Sequence, residues 1–191
     1  MMNIEKYIGY YKDCVSDNVC EGIMNFRGYD FKPSTYSVHD GVLPDSDKRV
    51  KMDECWVRPA KFKNSGQRDG PYYQAIKDSY NRVIKNYMSD HPTFAVDRTT
   101  DFRINRYGVG GFMGDHADLI HRSHGQTYGF PQVSALLYLN DDYEGGEFIV
   151  AGKKFEPEKG SAIIFPSNFM FRHEAKPVTK GTRWSIVTWL M

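Results

Sequence analysis

Three polar residues in the second half of the chain have the types and spacing for metal chemistry. The stretch Gly114-Asp115-His116-Ala117-Asp118 sets an imidazole and a carboxylate two residues apart. On a β-strand that spacing turns both side chains to one face. One imidazole and one carboxylate can then supply two ligands to a divalent transition metal. By itself His-x-Asp is a short pattern that chance also produces. A third donor, His173, lies 55 residues beyond Asp118, after the apolar run Ala162 to Phe165 and the turn-forming Pro166-Ser167-Asn168. Two histidines and one carboxylate are the donor set that holds non-haem Fe(II) and leaves coordination positions open. Ten residues later comes Arg183, a fixed fork of donors suited to a carboxylate.

These residues need strands to hold them. From Asp101 onward the pattern is β: Phe102 to Tyr107 alternates, and Val133 to Leu139 is a short apolar run. Glu147 to Val150, Ser161 to Phe165 and Arg183 to Leu190 are also strand-like. Clusters of Gly, Pro, Asn and Asp at 108–114, 140–146, 152–160 and 166–168 separate them. The first hundred residues carry the helical signals. Ser16 or Asp17 can cap a short helix with Val19, Cys20, Ile23 and Met24 on one face. A longer helix is predicted from about Gly70 to Met88, stopped by His91-Pro92. Its Tyr73, Ile76, Tyr80, Val83, Ile84 and Tyr87 form one core-facing stripe. Between the helices, Lys48 to Arg68 holds seven basic and two acidic residues and reads as a solvated loop.

Composition narrows the function classes. With 191 residues the chain suits one domain, 1–191, with helical support over 1–100 and a β core over 101–191. Lys+Arg (25) nearly balances Asp+Glu (24), so no net field steers the chain onto nucleic acid. No apolar stretch approaches the roughly 18 residues of a membrane span. Three cysteines are too few, and odd in number, for a disulfide scaffold. With no secretory signal visible, the expected location is cytoplasmic, or the host cytoplasm if the gene is viral.

The pattern resembles the Fe(II)/2-oxoglutarate-dependent dioxygenases, and within them the prolyl 4-hydroxylase branch. His116-x-Asp118, His173 and Arg183 carry the resemblance. Tyr107, nine residues before His116, supports it. So do Leu137-Tyr138-Leu139-Asn140 leading to Gly145-Gly146-Glu147, the run Lys159 to Phe165, and Gly181-x-Arg183-Trp184 with Trp189. The resemblance implies a mainly β protein with N-terminal helices, a double-stranded β-helix or distorted jelly roll. It implies iron held by His116, Asp118 and His173. Arg183 would pair with the distal carboxylate of 2-oxoglutarate, with Tyr138 and Ser185 beside it and Tyr107 nearer the metal. Fe(II), 2-oxoglutarate and O2 are the implied cofactors, with ascorbate as reductant. A protein or peptide partner is implied, and hydroxylated proline, succinate and CO2 are the products. Arg183 departs from the lysine of many prolyl 4-hydroxylases, and Pro131-Gln132 from an arginine that related peptidyl hydroxylases often carry there.

Substrate contacts are expected from Trp189, Gln132, Arg49 and Trp56. Alternation puts Trp189 with Arg183 on the pocket face and Trp184 on the core face. His121 and His124 fall in the rim of a long loop, and His39 and His91 in structural turns. Other readings share these residues. One is the same chemistry on a lysyl residue, a free amino acid or a small metabolite. Another is a jelly-roll binding module that keeps the pocket, and a third a cupin-like metal enzyme without 2-oxoglutarate.

Overall fold

The computed structural model describes residues 3–38, 41–42, 44–57, 72–96, 98–118 and 130–191. His39, His121, His124, residues 58–68 of the basic run and the expected helix start at Gly70 lie outside these. In chain order the strands are β1 (Gly9–Tyr11), β2 (Lys32–Pro33), β3 (Ser37–Val38), β4 (Gly41–Val42), β5 (Val50–Lys51), β6 (Asp53–Val57), β7 (Phe102–Tyr107), β8 (Phe112–His116), β9 (Val133–Tyr138), β10 (Glu144–Gly145), β11 (Phe148–Val150), β12 (Lys153–Phe155), β13 (Ala162–Pro166), β14 (His173–Ala175), β15 (Val178–Lys180) and β16 (Arg183–Leu190). The α-helices among the described residues are α1 (Asp17–Asn25) and α2 (Tyr73–Asp90).

Two antiparallel sheets carry the site. The larger runs β1-β13-β9-β16-β7-β6-β2 and the smaller β12-β11-β14-β8-β5. The larger sheet is buried on both faces, which is why β9 has no exposed residue. Alternate residues serve opposite neighbours. Val133, Ala135 and Leu137 of β9 join Ile186 and Leu190 of β16 in a cluster with Ile76, Tyr80, Val83 and Tyr87 of α2. The intervening Leu136 and Tyr138, with Val187, Ile163 and Phe165, pack against Phe148 and Val150 of the smaller sheet. The expected jelly roll is therefore present, with one apolar core between the sheets and another beneath the helices.

The predicted helical stripe is the buried face of α2, which ends at Asp90 because a residue before proline disfavours helical backbone. Ser16 caps α1 in extended conformation without a side-chain hydrogen bond. The split at residue 100 needs correction for the sheets. β1, β2 and β6 extend the larger sheet, and β5 completes the smaller. Lys48 to Val57, expected as part of a loop, holds two of those strands. They were hidden because Lys51, Asp53 and Glu54 break the apolar signal at a sheet margin. β8 and β12 likewise lie in stretches whose glycines and charges read as turns.

Tyr80 ties the helix to the sheet. It stacks on Phe102 with centroids 5.2 Å apart, and its hydroxyl donates to the carbonyl of Ile186 at 2.8 Å. The Tyr80→Phe variant removes that hydrogen bond. It should lose about 1–2 kcal/mol in chemical denaturation, with metal binding unchanged.

Candidate metal and carboxylate site

His116 ends β8, His173 begins β14, and the two pair directly across the strands. The next pair is Ala175 with Met113, so β8 holds an extra residue there, a bulge at Gly114 and Asp115. A bulge re-aims the side chain beside it. Gly114 suits the position, because its N–H donates to the Arg49 carbonyl at 2.7 Å and an added Cβ would lie 3.2 Å from that oxygen. Outside the bulge, Arg172 grips Asp115 through Nε at 2.7 Å and the Asp115 carbonyl through Nη2 at 3.0 Å. Each clamp residue immediately precedes a histidine of the site.

Asp118 lies two residues beyond the end of β8. The same-face alternation expected for it is corrected: the chain turns after His116 and brings the carboxylate back. Ser134 of β9 holds it there, donating to Oδ2 at 2.6 Å, and Ser167 backs Ser134 at 2.7 Å. Donor atoms of His116, Asp118 and His173 all lie within 4.8 Å of one another. Each histidine Nε2 is 3.4 Å from an Asp118 oxygen. Each Nδ1 faces a backbone carbonyl, that of Gly114 at 2.8 Å and that of Phe171 at 3.2 Å. Only an N–H suits a carbonyl, so the proton sits on Nδ1 and the Nε2 lone pairs point inward. Two lone pairs and a carboxylate converging on one point fit a bound divalent cation.

Arg183 opens β16 and faces the space between the sheets. It is 1% exposed, yet none of the ion pairs among the described residues includes it. Its guanidinium carbon sits 4.7 Å from the ring centre of Tyr107 and 5.2 Å from that of Tyr138, and Nη2 is 3.4 Å from the Tyr138 hydroxyl. Nε and Nη1 have no partner. Ser185, next on the same face, pairs in register with Asn105 on one side and Tyr138 on the other. Ser185 Oγ and Asn105 Oδ1 are also buried without partners. A buried cation without an anion is costly. A carboxylate entering here would meet a ready set of donors.

The sequence model of the 2OG-Fe(II) oxygenase superfamily matches residues 102–191. Those residues, just under half of the chain, are similar to the 2OG-Fe(II) oxygenase superfamily. A PKHD-type hydroxylase of Gloeothece citriformis is 31% identical over 132 residues, covering 66% of this chain and 56% of that relative. Human prolyl 3-hydroxylase 2 is 29% identical over 137 residues, covering 60% of this chain and 19% of the relative. The chain thus spans less than two thirds of the length of these curated relatives. A crystal structure of the viral collagen prolyl hydroxylase of Paramecium Bursaria Chlorella virus-1 has the same fold, with TM-score 0.69 and 17% identity. That likeness covers 96% of this chain and 95% of the other.

The site gathers most of the expected residues. His116, Asp118, His173, Arg183, Tyr107, Tyr138 and Ser185 are all buried or nearly so between the sheets. Trp189 faces inward and stands 6.2 Å from Trp56, ring centre to ring centre, while Trp184 packs on the helix side against Phe31. Arg49 is exposed and reaches the site indirectly: it covers Tyr36 at 5.6 Å, and Tyr36 stands edge-on to His116. Gln132 is not brought in. Its side chain is exposed, and its backbone serves Leu190 and Ser167. His91 stacks on Tyr87 and Tyr7 at the end of α2, a structural place.

Sequence reading missed Ser134, Asn105, Arg103, Tyr36 and Tyr143. The Arg103 guanidinium lies 5.0 Å from the Trp189 ring and 5.8 Å from that of Trp56, and Tyr143 stands beside Arg183. Ser134 shares strand parity with Tyr138, and Asn105 and Arg103 share it with Tyr107, so alternation alone could have found these three. Tyr36 and Tyr143 sit outside the main strands, where no periodicity marks them.

Burial pushes the His173 imidazole down to about 4, helped by repulsion from His116 and opposed by Asp118. Burial alone would raise the Asp118 carboxyl. The two histidines and the Ser134 hydroxyl outweigh it and hold the group below the usual carboxylate range. Above about pH 5 His173 is therefore neutral and Asp118 anionic, the state a metal needs of those two ligands. Unfolded His173 takes a proton near pH 6.5, which the folded site refuses until about pH 4. The metal-free protein should lose stability as pH falls from 6.5 toward 4, by on the order of 3 kcal/mol. Asp118 adds a loss of the same sign at lower pH. Melting scans across that window check this, and His173→Asn should flatten the slope.

Proposed function

We propose that this protein is an oxygenase that hydroxylates proline in a protein or peptide, with oxidative decarboxylation of 2-oxoglutarate to succinate and CO2. The observation that carries the reading is the pairing of two empty demands in one inter-sheet space: three converged metal donors and a buried arginine without an acid. A 2-oxo diacid answers both. Its 2-oxo acid end suits a metal, and its far carboxylate suits a guanidinium.

His116, Asp118 and His173 would hold Fe(II), with the Nδ1–H bonds fixing both rings. Arg183 binds the distal carboxylate. Tyr138, kept protonated because burial raises its phenol, donates a hydrogen bond alongside Ser185. Tyr107 packs on the guanidinium face and stops it from swinging. When bound, iron supplies the activation of O2 coupled to 2-oxoglutarate decarboxylation, with ascorbate sustaining the ferrous state. Phe148, Phe165 and Val187 exclude water from the space between the sheets.

A peptide substrate is supported by the names of the prolyl hydroxylase relatives and by the inner wall near Ser134. Trp189 pairs with Ser134 in register, and its indole N–H is buried without an acceptor, a donor for a substrate carbonyl. Trp56 extends this aromatic wall. The free, buried Cys14, Cys20 and Cys55 have thiols raised by burial and suit a reducing compartment such as the cytoplasm.

The test is succinate formation with Fe(II), ascorbate, O2 and 2-oxoglutarate, with and without a proline-peptide pool, followed by mass spectrometry. Peptide-stimulated turnover with hydroxyproline is expected. Turnover that no proline peptide stimulates would remove the proline assignment. His116→Ala or Asp118→Ala should lower turnover by at least about 100-fold. Arg183→Ala should weaken 2-oxoglutarate by about 1.5–3 kcal/mol while Fe(II) stays bound.

A further inference from the structure

A cavity of about 320 Å³ adjoins the residues that flank Arg183. Tyr143, Gly146, Glu147, Phe155 and Glu156 are among its walls. Two of those walls also touch Arg183. A Cβ on Gly146 would lie 3.1 Å from Arg183 Cδ and 3.3 Å from Tyr143 Cε2. Glycine is required there in any case, because its φ is +65°. The Tyr143 phenol and the Arg183 guanidinium also stand close enough to interact electrostatically. Gly146 and Tyr143 thus stand between the cavity and Arg183, and of the two only Tyr143 carries a bulky side chain. The cavity beyond is acidic, with Asp141, Glu147, Glu156 and Glu158 around it.

We propose that Tyr143 is the back wall of the co-substrate pocket and sets the length of the 2-oxo dicarboxylic acid it admits. This rests on the reading that Arg183 binds the distal carboxylate. An acid one methylene longer than 2-oxoglutarate needs the guanidinium to recede, and Tyr143 bars the retreat. Removing the ring opens Arg183 to the cavity and lets it withdraw. The same opening exposes Arg183 to the cavity's carboxylates, which compete for it. Tyr143 is a positioning and specificity residue, acting on the acid through Arg183.

The test measures direct binding of 2-oxoglutarate and of 2-oxoadipate to Mn(II)-loaded protein by calorimetry, with no turnover. The wild type should prefer 2-oxoglutarate. One methylene in a fitted pocket is worth about 10–200-fold, so Tyr143→Ala should shrink the preference at least about tenfold. It should do so by weakening 2-oxoglutarate and strengthening 2-oxoadipate. Tyr143→Phe keeps the ring and should keep the preference. Tyr143→Val repeats the measurement with less packing lost, and melting curves show which variants are folded. An unchanged preference in folded Tyr143→Ala or Tyr143→Val overturns the proposal. If the wild type binds neither acid, the reading of Arg183 fails first, and the proposal falls with it.

Discussion

The site depends on the antiparallel pairing of β8 with β14. That pairing sets His116 opposite His173, residues 57 apart in sequence, within a few ångströms of each other. The bulge at Gly114 and Asp115 does the rest, because without the extra residue strict alternation would turn His116 to the opposite face. The backbone then completes the site chemically. Gly114 and Phe171, each two residues before a histidine, present the carbonyls that fix the tautomers. Neither ring needs a side-chain partner for orientation, which leaves Asp118 free to act as a ligand.

Arg183 poses the opposite problem. A guanidinium buried to 1% exposure is expensive, and no acid among the described residues pairs with it. Three phenols surround it instead. Aromatic faces and neutral hydroxyls reduce the cost of burying the charge without cancelling it. A neighbouring carboxylate would have satisfied the arginine and closed it to any ligand. The acidic groups nearby, Glu147 and Glu156 among them, line a cavity beyond Tyr143. Keeping those anions off the guanidinium matters as much as supplying donors to the incoming acid.

Much of this was legible in the residues, for identifiable reasons. Strand alternation is local and depends on nothing distant, so β7, β9 and β16 and the inward parity of Arg183, Ser185 and Trp189 could be read directly. The amphipathic face of α2 could be read for the same reason. The donor set was legible by residue type, but its mechanism of assembly was not. Asp118 arrives by a turn off the end of a strand, and His116 by a bulge among glycines that read as a loop. The strands β5 and β6 were masked by charged residues, since at a sheet margin one face is wet and the apolar signal halves. Gln132 lies outside the inner wall because its backbone is fixed beside the start of β9, with the side chain turned to solvent.

The metal donors and the arginine belong to different sheets, so their separation is set by what packs between. Phe148 occupies that place. Its ring lies 5.8 Å from His173, 5.9 Å from Phe165 and 6.3 Å from Tyr138. Phe165 in turn meets His173 edge-on at 4.8 Å. Interiors packed at crystal density transmit displacement rather than absorb it. One aromatic layer therefore gauges the span between the metal and the carboxylate anchor, as Tyr143 gauges the far limit of that anchor. A bridging diacid must match a length fixed at both ends by aromatic rings. The inter-sheet core, apolar and remote from any proton or electron transfer, is in that sense part of the site.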